Sequence, residues 1–129
     1  MYKEKSVKKL KEYSRIRYQQ EYLRVQLAVM KDRFEHLPPD SKERPAKLAT
    51  IKRIESVYSS NREIIEDVET CLSFLPERER TVLWHFYVER TDDYIEVLNE
   101  KLNVERSQIY RLKDKAIERF SMLSQDAFY

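Results

Sequence analysis

The 129 residues include no glycine. Glycine enters left-handed backbone without a steric cost, and the two-residue turns of β-hairpins depend on it. A chain without glycine is poorly equipped for tight hairpins, whereas long helices lose nothing. Charged residues make up 37% of the chain, which suits helices with broad solvated faces. The expected fold is therefore all-α.

Two long stripes of apolar spacing support this. Ile16, Gln20, Leu23, Leu27, Met30, Phe34 and Leu37 alternate steps of four and three, a coiled-coil-like seam with one polar member. Pro38, Pro39 and Pro45 then break the helix, and Pro45 suits the first turn of the next. Ile51, Ile54, Tyr58, Asn61, Ile65, Val68, Leu72 and Leu75 repeat the spacing, with Val57, Ile64 and Cys71 widening it. Matching stripes across a short Pro-rich connection predict an antiparallel helical hairpin over residues 1–73. Two helices rarely bury enough surface alone. The hairpin is expected to form a homodimer or higher homo-oligomer, or to pack on the C-terminal part.

Residues 74–124 read as a second domain, followed by a short tail at 125–129. Pro76 suits a helix start, with Glu77 and Glu79 in the first turn. Trp84, Phe86 and Tyr87 read as core of that helix. Thr91 is expected to cap the next one, with Asp92 and Asp93 in its first turn. That helix ends at Asn103, where the chain needs a left-handed residue and asparagine is the best substitute for glycine. A last helix begins near Glu105 or Arg106 and runs to about Leu123. Two short helices joined in this way predict a helix-turn-helix. Leu98, Leu102, Val104, Ile109 and Leu112 form its small core, continued by Ala116, Ile117 and Phe120. Arg106, Ser107, Gln108, Tyr110, Arg111, Lys113 and Lys115 are left for the outer faces, as candidate DNA-binding residues.

The chemistry suits groove reading. Arginine in the first turns of such a helix donates two hydrogen bonds to a guanine edge, and glutamine pairs with adenine. Lysines further along suit phosphates. A basic amphipathic face alone is more often plain solvated surface; the turn raises its significance, and so does a resemblance to a known family.

At these residues a resemblance becomes specific. "LPERERTVLWHFY" followed by "YIEVLNEKLNVERSQIYRLKDKAIERF" resembles the promoter-reading fourth region of bacterial sigma factors. The nearer likeness is to small phage transcriptional regulators of the RinA and ArpU type, which carry a sigma-like helix-turn-helix behind a helical N-terminal part. The resemblance covers about residues 74–123. It implies base reading by Arg106, Ser107, Tyr110 and Arg111. Three departures stand out. Tyr110 occupies a position where arginine is usual, Glu105 replaces a serine or threonine cap, and Asn99 replaces a small residue. The Glu105 substitution predicts a weaker helix start, and Asn99 a slightly wider packing of the two helices.

Charge is distributed unevenly around a formal net of +2. Residues 1–36 hold ten Lys/Arg and five Asp/Glu. Residues 77–105 hold four and eight, and residues 106–119 hold five and two. Lys3, Lys5, Lys8, Lys9, Lys11, Arg15 and Arg17 read as a solvated helix start or as auxiliary phosphate contacts. One cysteine, Cys71, forms no internal disulfide, and no apolar run or leader-like stretch suggests a membrane or secretion. A cytoplasmic setting in a bacterial host cell is expected. His36 and His85 lack ligand-spaced partners, so no metal site is expected, and no cofactor. Without glycine there is neither a phosphate-binding loop nor a nucleophile elbow, so the chain reads as a non-enzyme.

The expected function is sequence-specific binding of double-stranded DNA as a transcriptional regulator, of the phage or prophage late-gene activator kind. Contact with RNA polymerase is a further expectation. Two alternatives stay open: a small terminase subunit that recognises a packaging site, and a sigma-mimicking module that binds RNA polymerase with little DNA affinity. Residues 74–129 are expected to fold alone.

Overall fold

A computed structural model describes residues 2–124; the expected tail at residues 125–129 lies outside the described residues. Among the described residues the chain is all-α, with no strand. The elements are α1 (Tyr2–Glu35), α2 (Arg44–Ser73), α3 (Glu77–Leu83), a π-helical segment (Trp84–Val88), α4 (Tyr94–Leu102) and α5 (Arg106–Leu123). No described helix is long and apolar enough to cross a membrane.

The chain divides into two compact units, and the division cuts through the long helices. One unit is Ile16–Ile65; the other takes α1 up to Arg15 and the chain from Glu66 onward. The sequence pattern draws its boundary near residue 74, where heptad spacing gives way to short helices. The long helices themselves do not respect that change.

In the Ile16–Ile65 unit the two long helices meet through contacts such as Gln20 with Tyr58 and Lys31 with Glu55. Ile16, Leu23, Leu27 and Ile51 are buried along the expected stripes, while Met30, Phe34, Ile54, Tyr58 and Ile65 are half-buried. Val57 does not widen the stripe: it is 42% exposed. A polar layer crosses this seam. Gln20 Nε2 donates to the Tyr58 carbonyl at 2.8 Å, and buried Asn61 donates to Gln19 Oε1 at 3.3 Å. Such a layer costs stability and favours one register. The Pro-rich connection is held by Arg44, whose Nη1 donates to the Phe34 and Leu37 carbonyls at 3.3 and 2.9 Å. Its guanidinium also lies 4.2 Å from the Phe34 ring centroid. Phe34 lies in the last turn of α1, where a cation suits the helix end, and Leu37 lies just beyond it.

In the other unit the α1 stripe extends further towards the N-terminus than the apolar pattern indicates. Ser6, Leu10 and Tyr13 are fully buried, together with Val68, Val82, Leu83 and Phe120. Ser6 Oγ meets Ser121 Oγ at 2.7 Å, a buried contact that satisfies both hydroxyls. The Tyr13 hydroxyl donates to Glu69 at 2.9 Å, and its ring packs edge-on to Trp84 at 6.3 Å. Lys9 Nζ donates to Asp67 at 3.0 Å and to Ser124 at 3.2 Å.

Helix α3 passes directly into the π-helical segment, where the Glu89 N–H reaches back five residues to the Trp84 carbonyl at 2.8 Å. In a regular α-helix Val88 would stand roughly 140° round from Leu83. The wider turn brings Val88 inward, and both are buried. Ser14 Oγ donates to the Val88 carbonyl at 2.6 Å and so satisfies the end of this segment. The next helix starts later than expected. Thr91 does not cap it; Thr91 Oγ1 donates to Asp93 at 2.7 Å, Asp93 is the cap residue, and α4 begins at Tyr94.

Candidate nucleic-acid interface

Helices α3, α4 and α5 close on a small core of Val82, Phe86, Leu98 and Ile109, with Leu102, Val104 and Leu112 packed against it. The turn from α4 to α5 is built as its residue types require. Asn103 has φ 52° and ψ 49°, and it is the only positive-φ residue among those described. Asn99 Nδ2 donates to the Val104 carbonyl at 2.6 Å, so the departure at Asn99 fastens the turn. The Arg78 Nη2 donates to the Leu102 carbonyl at 3.1 Å, at the end of α4.

The start of α5 is secured despite the missing serine or threonine. The Glu105 N–H donates to Gln108 Oε1 at 3.2 Å, so Gln108 reaches back to the cap residue. The weaker helix start expected from Glu105 therefore has a compensating contact. The same contact engages Gln108, one of the expected base readers, within its own helix.

The seven candidate residues fall on two ridges of α5. Ser107, Arg111 and Lys115 recur every four residues and are exposed, with exposed Gln108 beside them. Gln108, Arg111 and Lys115 line an open concavity of about 290 Å³ together with Arg78, Val104 and Leu112. Three cations and no carboxylate line it. Arg78 was not among the expected site residues; its place in the first turn of α3 carries no sequence signal for this surface.

Arg106, Tyr110 and Lys113 form the second ridge. Arg106 is exposed, whereas Tyr110 and Lys113 are half-buried against aromatic rings. Phe86 is the hub: its ring meets Tyr94 at 5.0 Å and Tyr110 at 5.8 Å, both edge-to-face. Arg106 lies 5.9 Å from the Tyr110 ring centroid and Lys113 lies 5.8 Å from it. The Arg106 guanidinium beside it holds the Tyr110 hydroxyl below the ordinary tyrosine range, against the opposing effect of burial. Burial pushes the neighbouring Tyr87 hydroxyl up. On the far side Arg90 stacks 4.1 Å from the Tyr94 ring and donates to its hydroxyl at 2.9 Å.

No family model, curated protein or solved structure matches this chain. The sigma-like resemblance therefore stands on its motif residues alone. Several of them have a visible physical role. Leu75 is buried, Pro76 precedes the first turn of α3, and Glu79 is 5% exposed. The Glu79 carboxylate pairs with Arg119 Nε of α5 at 3.1 Å. The contact is ionic, with Oε1 poorly aligned for a hydrogen bond. Glu79, within the quoted LPERERTVLWHFY stretch, thus ties α3 to α5.

Chemically, the first ridge and the adjoining Arg78 offer two guanidinium groups and the Lys115 ammonium on an accessible surface. That arrangement suits base edges and phosphates. Among the described residues, no group of three or more His, Cys, Asp or Glu side chains is placed to hold a metal ion.

Proposed function

We propose that this chain is a sequence-specific, DNA-binding transcriptional regulator of the phage late-gene activator kind. In this reading α4 and α5 are the two helices of a helix-turn-helix, and α5 enters the major groove. The observation that carries it is the carboxylate-free concavity of Arg78, Arg111 and Lys115, on the exposed side of the helix that follows the left-handed Asn103 turn. Ser107 and Arg111 then face base edges, Lys115 and Arg78 face phosphates, and Arg106 flanks them against Tyr110.

The hairpin of α1 and α2 serves as the oligomerisation part in this reading. Support comes from a second stripe on α1, formed by Tyr18, Tyr22, Val25 and Val29 at steps of four, three and four, all at least 44% exposed. Paired copies on two half-sites would double the base contacts and gain from effective concentration. That matters because residues 76–129 hold nine basic and eleven acidic groups, which leaves a single copy weak on DNA.

The test compares Arg111→Ala with the wild type on a selected site and on random duplex. Specific binding falls by about 1–3 kcal/mol while random binding falls less. Equal losses on both duplexes would argue against base reading. One feature favours a sigma-mimicking, polymerase-binding module: the acidic stretch 77–105, with four basic and eight acidic residues. That reading predicts capture of RNA polymerase with little DNA affinity.

A further inference from the structure

We propose that the start of α1 is a second, sequence-independent phosphate-binding element, in which Lys3, Lys8 and Lys11 act with Lys113 of α5 on the backbone of the same DNA duplex. The inference rests on the DNA reading above and extends it from one helix to two.

An open groove of about 500 Å³ carries it. Lys3, Lys8 and Lys11 line one side and Lys113 the other, over an apolar floor that includes Tyr87 and Ile117. Two carboxylates share the lining, Glu4 and Asp114, and Asp114 is already engaged with Lys113 at 3.0 Å. The α1 lysines are not interchangeable. Lys9 turns to Asp67 and Ser124, whereas Lys3, Lys8 and Lys11 are exposed and face the groove.

The groove also lies in line with the DNA-facing helix. Arg106, Tyr110, Lys113 and Ile117 recur at steps of four, three and four along α5, so one ridge leads from the first turn of α5 into the groove. At about 1.5 Å rise per residue, Arg106 to Lys113 covers roughly 10 Å and Lys3 to Lys11 roughly 12 Å. Phosphates on one strand advance about 3.4 Å each along the duplex axis, so this track spans several of them. Charge completes the argument. Residues 1–36 hold ten basic and five acidic groups, the excess that the C-terminal helices lack. Lysines on a flexible stem suit phosphates, which supply affinity without reading sequence.

The experiment uses the full chain with a selected-site duplex and a short random-sequence duplex at salt between about 50 and 200 mM. Wild type, the K3A/K8A/K11A triple variant and the R111A/K115A double variant are compared, with circular dichroism to confirm equal helicity. The triple variant should reduce the slope of log affinity against log salt by about 2–3 and leave the ratio of specific to random binding unchanged. A wild-type slope in the triple variant, with a lowered slope in R111A/K115A, would overturn the groove and leave the DNA reading standing. Absence of DNA binding by the wild type would overturn both. Loss of binding to anionic phospholipid vesicles in the triple variant, with duplex binding unchanged, would assign the groove to a membrane surface and also overturn the proposal.

Discussion

Asn103 shows how a chain without glycine still makes a sharp turn. Its left-handed backbone costs an ordinary L-residue roughly 1–2 kcal/mol, and a β-branched side chain suffers most. Asn103→Val should therefore lower unfolding free energy in urea by about 1–2 kcal/mol, while Asn103→Gly should be neutral or slightly stabilising. This position was legible in the sequence, because only one residue type present at the break tolerates that geometry well. The role of Glu79 was not. It reads as an ordinary first-turn acid, and its partner Arg119 lies in another helix with no local pattern to reveal it. Arg119→Ala leaves a buried carboxylate without its counter-charge, with an expected loss of about 1–3 kcal/mol. Glu79→Gln in that background should recover part of the loss, which a double-mutant cycle in urea would show.

Among the elements, the π-helical segment carries a pH-sensitive group. His85 Nε2 lies 3.2 Å from Lys101 Nζ of α4, so the imidazole accepts from the lysine only while neutral. Burial, and then the Lys101 charge, hold His85 below the ordinary histidine value. The folded state thus binds fewer protons than the unfolded one as pH falls. The associated stability is fully present above the unfolded value of about 6.5 and is lost as pH drops through it towards the lower folded value. His36 behaves oppositely. Its contacts to the Asp32 carbonyl, and then the Asp32 charge, raise its value, and it is exposed. Proton NMR should find His36 titrating at higher pH than His85, and His85→Gln should flatten the stability decline just below pH 6.5. The reverse order of titration would contradict the buried, lysine-facing placement of His85. The long helices were legible from heptad spacing, as were the bounds of α5. The π-helical widening and the late start of α4 were not: the first depends on bringing Val88 inward, and the second on Thr91 bonding Asp93 instead of a helix N–H.

At the scale of the whole molecule, the unit containing α5 is assembled from both ends of the chain. Leu10, Tyr13 and Ser6 of α1 and Val68 and Leu72 of α2 are buried in the same unit as Val82, Leu83 and Phe120. The expectation that residues 74–129 fold alone takes no account of this cover. A fragment of residues 74–129 should lack a cooperative urea transition, whereas the full chain should show one; a cooperative fragment would mean that the α1 and α2 contacts contribute little. The sequence concealed the cover because one of its members is Ser6, a small polar residue that no hydrophobic pattern selects. The same joining of chain ends brings the α1 lysines to a groove shared with α5. The measurement that tests the central claim most directly is selection of bound duplexes from a random DNA pool by the full chain, run in parallel with the R106A/R111A variant. The proposed function predicts enrichment of one motif by the wild type and its loss in the variant; equal enrichment by both proteins, or by neither, would contradict reading of DNA by α5.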